Sequence, residues 1–419
     1  MEGVHSMRKR IKKLGAILHD ELRKRDNLLV LFTTVIVILI LTGVYSVYTE
    51  DDERRQITVG FVYVDDASTA YTGNFIKGQT AIENLFTRDI KTIERYNVPE
   101  GGEQAVLQEL VDAGCELIFT TSYGYSKGTK EFAAKHPQVQ FCQATGDNAN
   151  DAPIVENYHT FMGEIYQGRY VTGVVAGRKL QSLIEEGFLT KEQAKVGYIG
   201  AYPYPEVISG YTAFLLGVRS VVPTAVMTVR YTNTWNNYML EKKCAKELID
   251  EGCVIISQHS DTAGPAVACE ETDSSQTVYM VGYNHSMVDV APTTYLTGCK
   301  INWAPYMEAA VRAVMNHKPI EEYVKGQVWG QDASGGFVEG WVEMLELNRS
   351  VATIGAQEIV DETVEALKND EIQVFKGDYI GVNPNDENDT YDLTAGFEEN
   401  ANSSAPAFGY ILKDVIEIK

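Results

Sequence analysis

The sequence predicts an α/β protein of two homologous lobes, each a doubly wound parallel sheet, and three observations carry the prediction. Residues 109–122, ELVDAGCELIFTTS, are answered by residues 247–260, ELIDEGCVIISQHS, with identity at seven of the fourteen positions. The echo is periodic: ITVGFVY (57–63) returns as AKVGYIG (194–200) at an offset of 137, the central pair lies at 138, and QVQFCQ (138–143) returns as TVYMVG (277–282) at 139. Each central copy joins a helix end to a glycine suited to a left-handed C-cap. An apolar run without polar alternation follows, as in a strand covered on both faces.

Taken in order, the first 26 residues hold eight Lys/Arg against four acids, and residues 27–48 (NLLVLFTTVIVILILTGVYSVY) are free of charge. That run is long enough to cross a bilayer. Basic residues before it and Glu50, Asp51, Asp52 and Glu53 after it predict an uncleaved single-pass anchor in the cell membrane, with the N-terminus inside and the rest outside. No cysteine precedes Cys115 to take a lipid. The expected domains are a basic cytoplasmic segment (1–26), the anchor (27–48), a first lobe (54–160) and a second lobe (161–290). Residues 291–419 return through the hinge, complete the lobes and form a tail.

Within the first lobe, strand 57–63 leads through a loop into a helix reaching about residue 87. Strand 90–97, a helix within 99–114, strand 115–121, helix 126–137 and strand 138–143 follow. GEIYQGRYVTGVVAGRKLQ (163–181) predicts a helix whose four glycines permit close backbone packing, expected against the sheet near the lobe junction. The second lobe repeats the plan with strands 195–200, 225–231, 253–258 and 277–282 and helices 207–220, 237–251 and 263–271. Strand 295–303 and helix 304–317 come next. In the tail, 360–370 is helical, 372–381 a hairpin arm and 383–390 an acidic turn.

In open α/β sheets ligands sit outside the carboxyl ends of the strands. Here the strand-end loops are 64–75, 122–128 and 144–150 in the first lobe and 201–207, 258–264 and 283–288 in the second. They are rich in aromatic and hydrogen-bonding residues. The candidate ligand contacts are Ser68, Thr69, Tyr71, Ser122, Tyr123, Tyr202, Trp235, His259, Asp261, Asn284 and Trp303. Tyr125, Tyr204, Tyr283 and His285 fall in the same loops. Flat apolar walls with a few polar groups suit a small planar polar ligand, with Tyr71 and Trp235 as opposite walls.

Other classes are disfavoured. Residues 27–419 carry 28 Lys/Arg and 54 Asp/Glu, a formal charge of −26, which repels nucleic acid. His259 and His285 lack metal-site spacing, no CxxC occurs, and there is no Walker loop or dinucleotide fingerprint, so neither metal nor cofactor is expected. The six cysteines include Cys115 and Cys253 at equivalent strand starts, which predicts buried thiols rather than an obligatory disulfide. Gly124-Tyr125-Ser126-Lys127-Gly128 fits the nucleophile-elbow pattern G-x-S-x-G. The equivalent second-lobe loop, HSDTAGP, shows that small residues simply start a helix here, so no catalytic residue is assigned.

VGFVYV (59–64), ELVDAGCELIFTTSYGY (109–125), AAKHPQVQFCQATG (133–146), GRYVTGVVAG (168–177) and KVGYIGAYPYPEVISGYTAFLLGVRSVVP (195–223) together resemble the basic membrane protein family of solute-binding proteins. TNTW (232–235), GCVIISQHSD (252–261), VGYNHSM (281–287) and LTGCKINWAPY (296–306) extend the resemblance. It implies a two-lobed type I periplasmic-binding fold with three hinge crossings, and no enzyme. The implied role is capture of a purine nucleoside or nucleobase for an ABC importer, whose permease would be the membrane partner. A ligand-sensing subunit of a membrane signalling system is the alternative, and a serine hydrolase using Ser126 comes third. Tyr71 falls where the family has an aromatic that stacks on the purine. Ser68 stands where its nucleoside binders often carry an acid. A ribose-binding acid is expected where this chain has Asn284 and Ser286, and a family lysine is offset by one from Lys300.

Overall fold

Among residues 12–17, 19–25, 32–40 and 56–419, which the computed structural model describes, the first three stretches are helical. No helix among the described residues is long and apolar enough to cross a membrane. The greater part of the expected anchor, residues 27–31 and 41–48, lies outside the described residues. Residues Ile57–Lys419 form a unit by themselves.

In that unit β1 (Ile57–Val62), β2 (Ile90–Arg95), β3 (Leu117–Thr120), β4 (Gln140–Ala144) and β5 (Tyr158–Gly163) pair in parallel, in the order β2-β1-β3-β4-β5. The second lobe repeats this with β6 (Lys195–Gly200), β7 (Val226–Tyr231), β8 (Ile255–His259), β9 (Tyr279–Tyr283) and β10 (Tyr295–Ile301) in the order β7-β6-β8-β9-β10. Even the register repeats: Val59 faces Leu117 and Val196 faces Ile255. The central strands are buried along their length, with helices on both faces.

The repeated sentence owes its shape to one cap. Gly114 and Gly252 adopt φ of 85° and 88° after the helices Glu103–Asp112 and Tyr238–Asp250. Cys115 N then donates to Leu110 O, and Cys253 N to Leu248 O, each at 3.0 Å. This is the Schellman closure, and it turns the chain directly into β3 or β8. A Cβ at either glycine would meet nothing within 4 Å, so the backbone angle alone demands glycine.

Three crossings join the lobes. The chain passes from β5 into the helix Ile165–Glu185, and from β10 into the helix Ala304–Met315, which packs on the first-lobe helix Ala70–Leu85. After β11 (Gln327–Trp329) and β12 (Asp332–Gly335) have extended the first sheet, it returns to β13 (Val342–Met344), antiparallel to β10. β10 and β13 thus join the second sheet from beyond residue 290.

The glycine-bearing helix packs more against a helix than against the sheet. A Cβ on Gly168 would lie 2.8 Å from Cys299 Cβ of β10. One on Gly173 would lie 2.1 Å from Phe214 O of the helix Pro205–Val221, and one on Gly217 would lie 2.1 Å from Tyr170 O. Backbone meets backbone there, which no larger residue permits.

The tail differs from expectation. The helix Ala356–Lys368 is followed by a small sheet of β14 (Ile380–Asn383), β15 (Asp386–Asp392) and β16 (Ile411–Leu412). The hairpin arm expected over 372–381 begins only at 380, and most of the expected acidic turn is β15, with Asn383 Nδ2 donating to Asp389 Oδ2 at 2.8 Å. β17 (Ile416–Ile418) adds a parallel edge to β7. The tail touches both lobes: Ser404 N donates to Asp332 Oδ2 at 2.7 Å, and Arg219 Nε donates to Tyr379 Oη at 2.9 Å. All six cysteines are free thiols.

Candidate ligand-binding cleft

Both sheets reverse strand order beside their first strands, β1/β3 and β6/β8, and the loops leaving those strands converge. They surround a small cavity of about 50 Å³ that opens to solvent. Val64, Asp65, Tyr71, Ser122, Tyr123 and Thr145 line it from the first lobe, and Glu206, Trp235, His259, Asp261 and Tyr283 from the second. The lobes touch around it. Ala70 N donates to Asp261 O at 3.2 Å, Asn236 Nδ2 donates to Asp65 Oδ2 at 3.5 Å, and the Tyr123 and Tyr204 rings lie 5.9 Å apart.

Six of the residues expected from the loops meet here: Tyr71, Ser122, Tyr123, Trp235, His259 and Asp261. Tyr71 is oriented by its hydroxyl, which donates to Thr121 O at 2.6 Å, and by an edge contact with Phe75. Trp235 is braced edge-on by Tyr202, which stacks on Tyr204. The Tyr123 hydroxyl donates to Asp147 Oδ2 at 3.1 Å. Ser122 Oγ donates to Glu100 Oε1 at 2.6 Å, and Gly124 N donates to the same oxygen at 3.1 Å, so this serine fixes its loop.

The second-lobe side is the more charged. His259 Nε2 lies 3.3 Å from Glu206 Oε1, and its ring meets Tyr283 edge-on at 4.9 Å. Burial and then the nearby Arg169 guanidinium hold the imidazole below its ordinary pKa, with Glu206 opposing. Burial raises the Asp261 carboxyl well above the usual range, reinforced by Glu241, Asp65 and Glu206. Asp65 is raised by burial, with the Asn236 hydrogen bond pulling the other way. Asp261 is therefore the carboxylate in this cleft that is short of favourable partners.

Five expected residues do not line the cavity. Ser68 is exposed, its amide donating to Asp66 Oδ1 at 2.9 Å. Thr69 is the buried residue that precedes the helix Ala70–Leu85. Tyr202 stands behind Trp235. Asn284 turns the chain after β9 with φ of 61°, within 3.5 Å of Asn74 Nδ2. Trp303 is 2% exposed and stacks on Phe75 at 4.1 Å, because the chain crosses to the first lobe immediately after β10.

Val64, Asp65, Thr145 and Glu206 were not singled out by sequence, and Tyr283 stood only among the loop aromatics. Asp65 had a signal, since it lies in the loop that follows the first strand. Glu206 sits in the first turn of the helix Pro205–Val221, where an acid also reads as ordinary helix-dipole complementation. Lys300 is engaged by Glu343 across β10 and β13 at 2.9 Å. Ser126 Oγ donates to Tyr123 O at 2.7 Å, a helix-start contact, and among the described residues no histidine partners it.

A family profile described as ABC transporter substrate-binding protein, PnrA-like, matches residues 61–375. A purine-binding protein of Brucella abortus (strain 2308) is 30% identical over 326 residues, covering 77% of this chain and 84% of that protein. A Haloferax volcanii protein named for ABC transporter glucose binding is 29% identical over 326 residues, covering 78% and 75%. Among solved structures, an ABC transporter solute-binding protein of Conexibacter woesei DSM 14684 superposes with a TM-score of 0.57 at 16% identity, covering 75% of this chain and 97% of that one. A transcriptional activator of the comK gene from Bacillus halodurans gives 0.56 at 20% identity, covering 74% and 96%. At these identities the two structures speak to the fold alone.

Proposed function

The chain belongs to the PnrA-like family of ABC transporter substrate-binding proteins, and from that premise we propose that it takes a purine base or nucleoside between its lobes and delivers it to an importer's permease. The observation that carries this reading is the placement of Tyr71 and Tyr123 from one lobe and Trp235 and Tyr283 from the other on one cavity, with hydrogen-bonding groups between them. Aromatic walls supply area for a flat ring, and polar groups fix its orientation. The name of the Brucella relative supports the purine class. The family is one of binding proteins, not enzymes. The charge pattern around 27–48 supports a single-pass anchor that presents the lobes outside the cell.

Thermal unfolding of the full chain in mild detergent tests this, after unfolding and refolding to strip bound ligand. A ligand of the folded state stabilises it by about 2.7 kcal/mol at a hundredfold excess over Kd, visible as a raised midpoint. No shift with any purine base or nucleoside would remove the purine reading.

A further inference from the structure

We propose that the cleft selects a planar ligand carrying a positive charge, an aromatic organic cation with Asp261 as its counter-ion. The inference rests on the cleft being the ligand site and names the chemistry that site takes. Three carboxylates, Asp65, Glu206 and Asp261, line the cavity, and none of its lining residues is Lys or Arg. Asp261 is only 8% exposed, and among the described residues nothing donates a hydrogen bond to its carboxylate. A buried carboxylate without a partner is costly, and a cationic group in the cavity would remove that cost.

The surroundings fit the same occupant. Arg169 does not line the cavity: its Cζ lies 3.7 Å from the Tyr283 ring centroid and its Nη1 donates to Gln258 O at 2.8 Å, while among the described residues Nε and Nη2 have no hydrogen-bond partner. Tyr71, Tyr123 and Trp235 supply rings, and an aromatic lining attracts a cation electrostatically as well as stacking on a flat one. Among the described residues no group of three or more His, Cys, Asp and Glu could hold a metal ion, and the aromatic lining favours an organic cation. The charge of −26 beyond residue 26 draws cations toward the protein.

Protons compete for the same place. The groups acting on Asp261 are Glu241, Asp65 and Glu206, with Tyr71 and Tyr283 also in its field. Its raised pKa in the empty cleft means that protonation sets in early as pH falls, so affinity for a cation weakens on acidification. A neutral ligand lacks that dependence on ionised Asp261.

Calorimetric titration of the stripped full chain with adenosine, with adenosine methylated at ring nitrogen 1 (a cation at neutral pH) and with thiamine, a non-purine aromatic cation, decides the matter. The methylated cation is expected to bind on the order of tenfold tighter than adenosine. Asp261→Asn should abolish that preference, a loss of roughly tenfold to a hundredfold for the cation, and a variant that kept the preference would overturn the inference. Adenosine binding as tightly as its cation would overturn the inference and leave the purine reading standing. Thiamine binding without either adenosine form would keep the inference and remove the purine. Binding of none of the three would overturn the inference, with the broader purine panel deciding the other reading.

Discussion

The loop after β3 and the loop after β8 begin from the same sentence and end in different chemistry. Ser122 and Ser260 are equivalent, and each donates its hydroxyl to an acid, Glu100 Oε1 at 2.6 Å or Glu241 Oε2 at 2.8 Å. The amides of Gly124 and Thr262, again equivalent, donate to those same acids at 3.1 Å. One residue past the serine the lobes part: the first offers Tyr123 and the second Asp261, and both line the cavity. The repeat thus supplies a backbone frame twice, and a single difference on it ends one loop in an aromatic ring and the other in a carboxylate.

The frames are not equally deep. Glu241 is fully buried and also accepts from Asn237 N at 3.0 Å, whereas Glu100 is exposed. The true counterpart of Glu241 by offset is Glu103, which is buried but leaves Oε2 without a hydrogen-bond partner, its place in the loop taken by Glu100. Glu241→Ala would strand one buried donor and leave two part-buried amides unpaired, and should cost about 3 kcal/mol, against about 1 kcal/mol for Glu100→Ala, where water replaces the acid. Denaturant unfolding of both variants measures the gap. Equal losses would mean that the second loop is not the more rigidly held of the two.

The tail sharpens the asymmetry. Glu399 accepts from Ala407 N and from Phe408 N. Burial nevertheless lifts its pKa to about 7. The folded state then holds a proton that an unfolded glutamate, with a pKa of about 4.3, has released. Between those values the folded state binds more protons, so stability falls as pH rises from about 4.3 toward 7, by on the order of 3 kcal/mol. Urea midpoints across that range should fall less steeply in Glu399→Gln than in the wild type, the raised Asp261 and Asp65 carboxyls keeping part of the slope. An unchanged slope in the variant would assign the dependence to other groups.

If each lobe gives one wall, removing either should weaken binding and neither loss should be structural. Trp235→Ala and Tyr71→Ala are each expected to cost about 1–3 kcal/mol of binding, by analogy with bases stacked on aromatics, or roughly fivefold to a hundredfold in Kd. Tyr166, which meets Phe375 at 5.6 Å away from the cleft, is the control. Tyr166→Ala should lower the unfolding midpoint and leave Kd unchanged. Wild-type affinity in both wall variants would move the ligand out of this cleft.

Much of this frame was legible because burial on both faces writes itself as an apolar run, as in VGFVY before the cleft loop. β5 was not, since NYHTFMG carries polar residues whose partners come from distant sequence. His159 sits between Glu321 at 2.6 Å and Gln140 at 2.9 Å, and Thr160 Oγ1 donates to Asp332 Oδ1 at 2.8 Å. In the cleft, Tyr71 and Trp235 stood out by residue type at strand ends. Trp303 looked the same and is core, because a lobe crossing cannot be read from an aromatic after a strand. Glu206 and Thr145 carried no local mark, since a helix start and a left-handed turn place them.

Thr145 offers the smallest test and the most specific one. It and Asn284 are 139 residues apart, follow β4 and β9, and adopt φ of 59° and 61°. Their amides make matching bonds, Thr145 N to Phe161 O and Asn284 N to Cys299 O, each at 2.9 Å. The backbone device is therefore the same, but the residues suit it differently. Asparagine tolerates the left-handed region, while a β-branched threonine is strained there. Thr145 nonetheless faces the cavity and Asn284 does not, which places the less comfortable residue where it can touch a ligand. Thr145→Asn should raise stability by about 1 kcal/mol and change ligand affinity. Asn284→Thr should lower stability by about as much and leave affinity alone. Paired unfolding and binding curves for the two variants separate these effects, and a stability gain in Thr145→Asn with wild-type affinity would show that the strain at this turn serves no contact in the cleft.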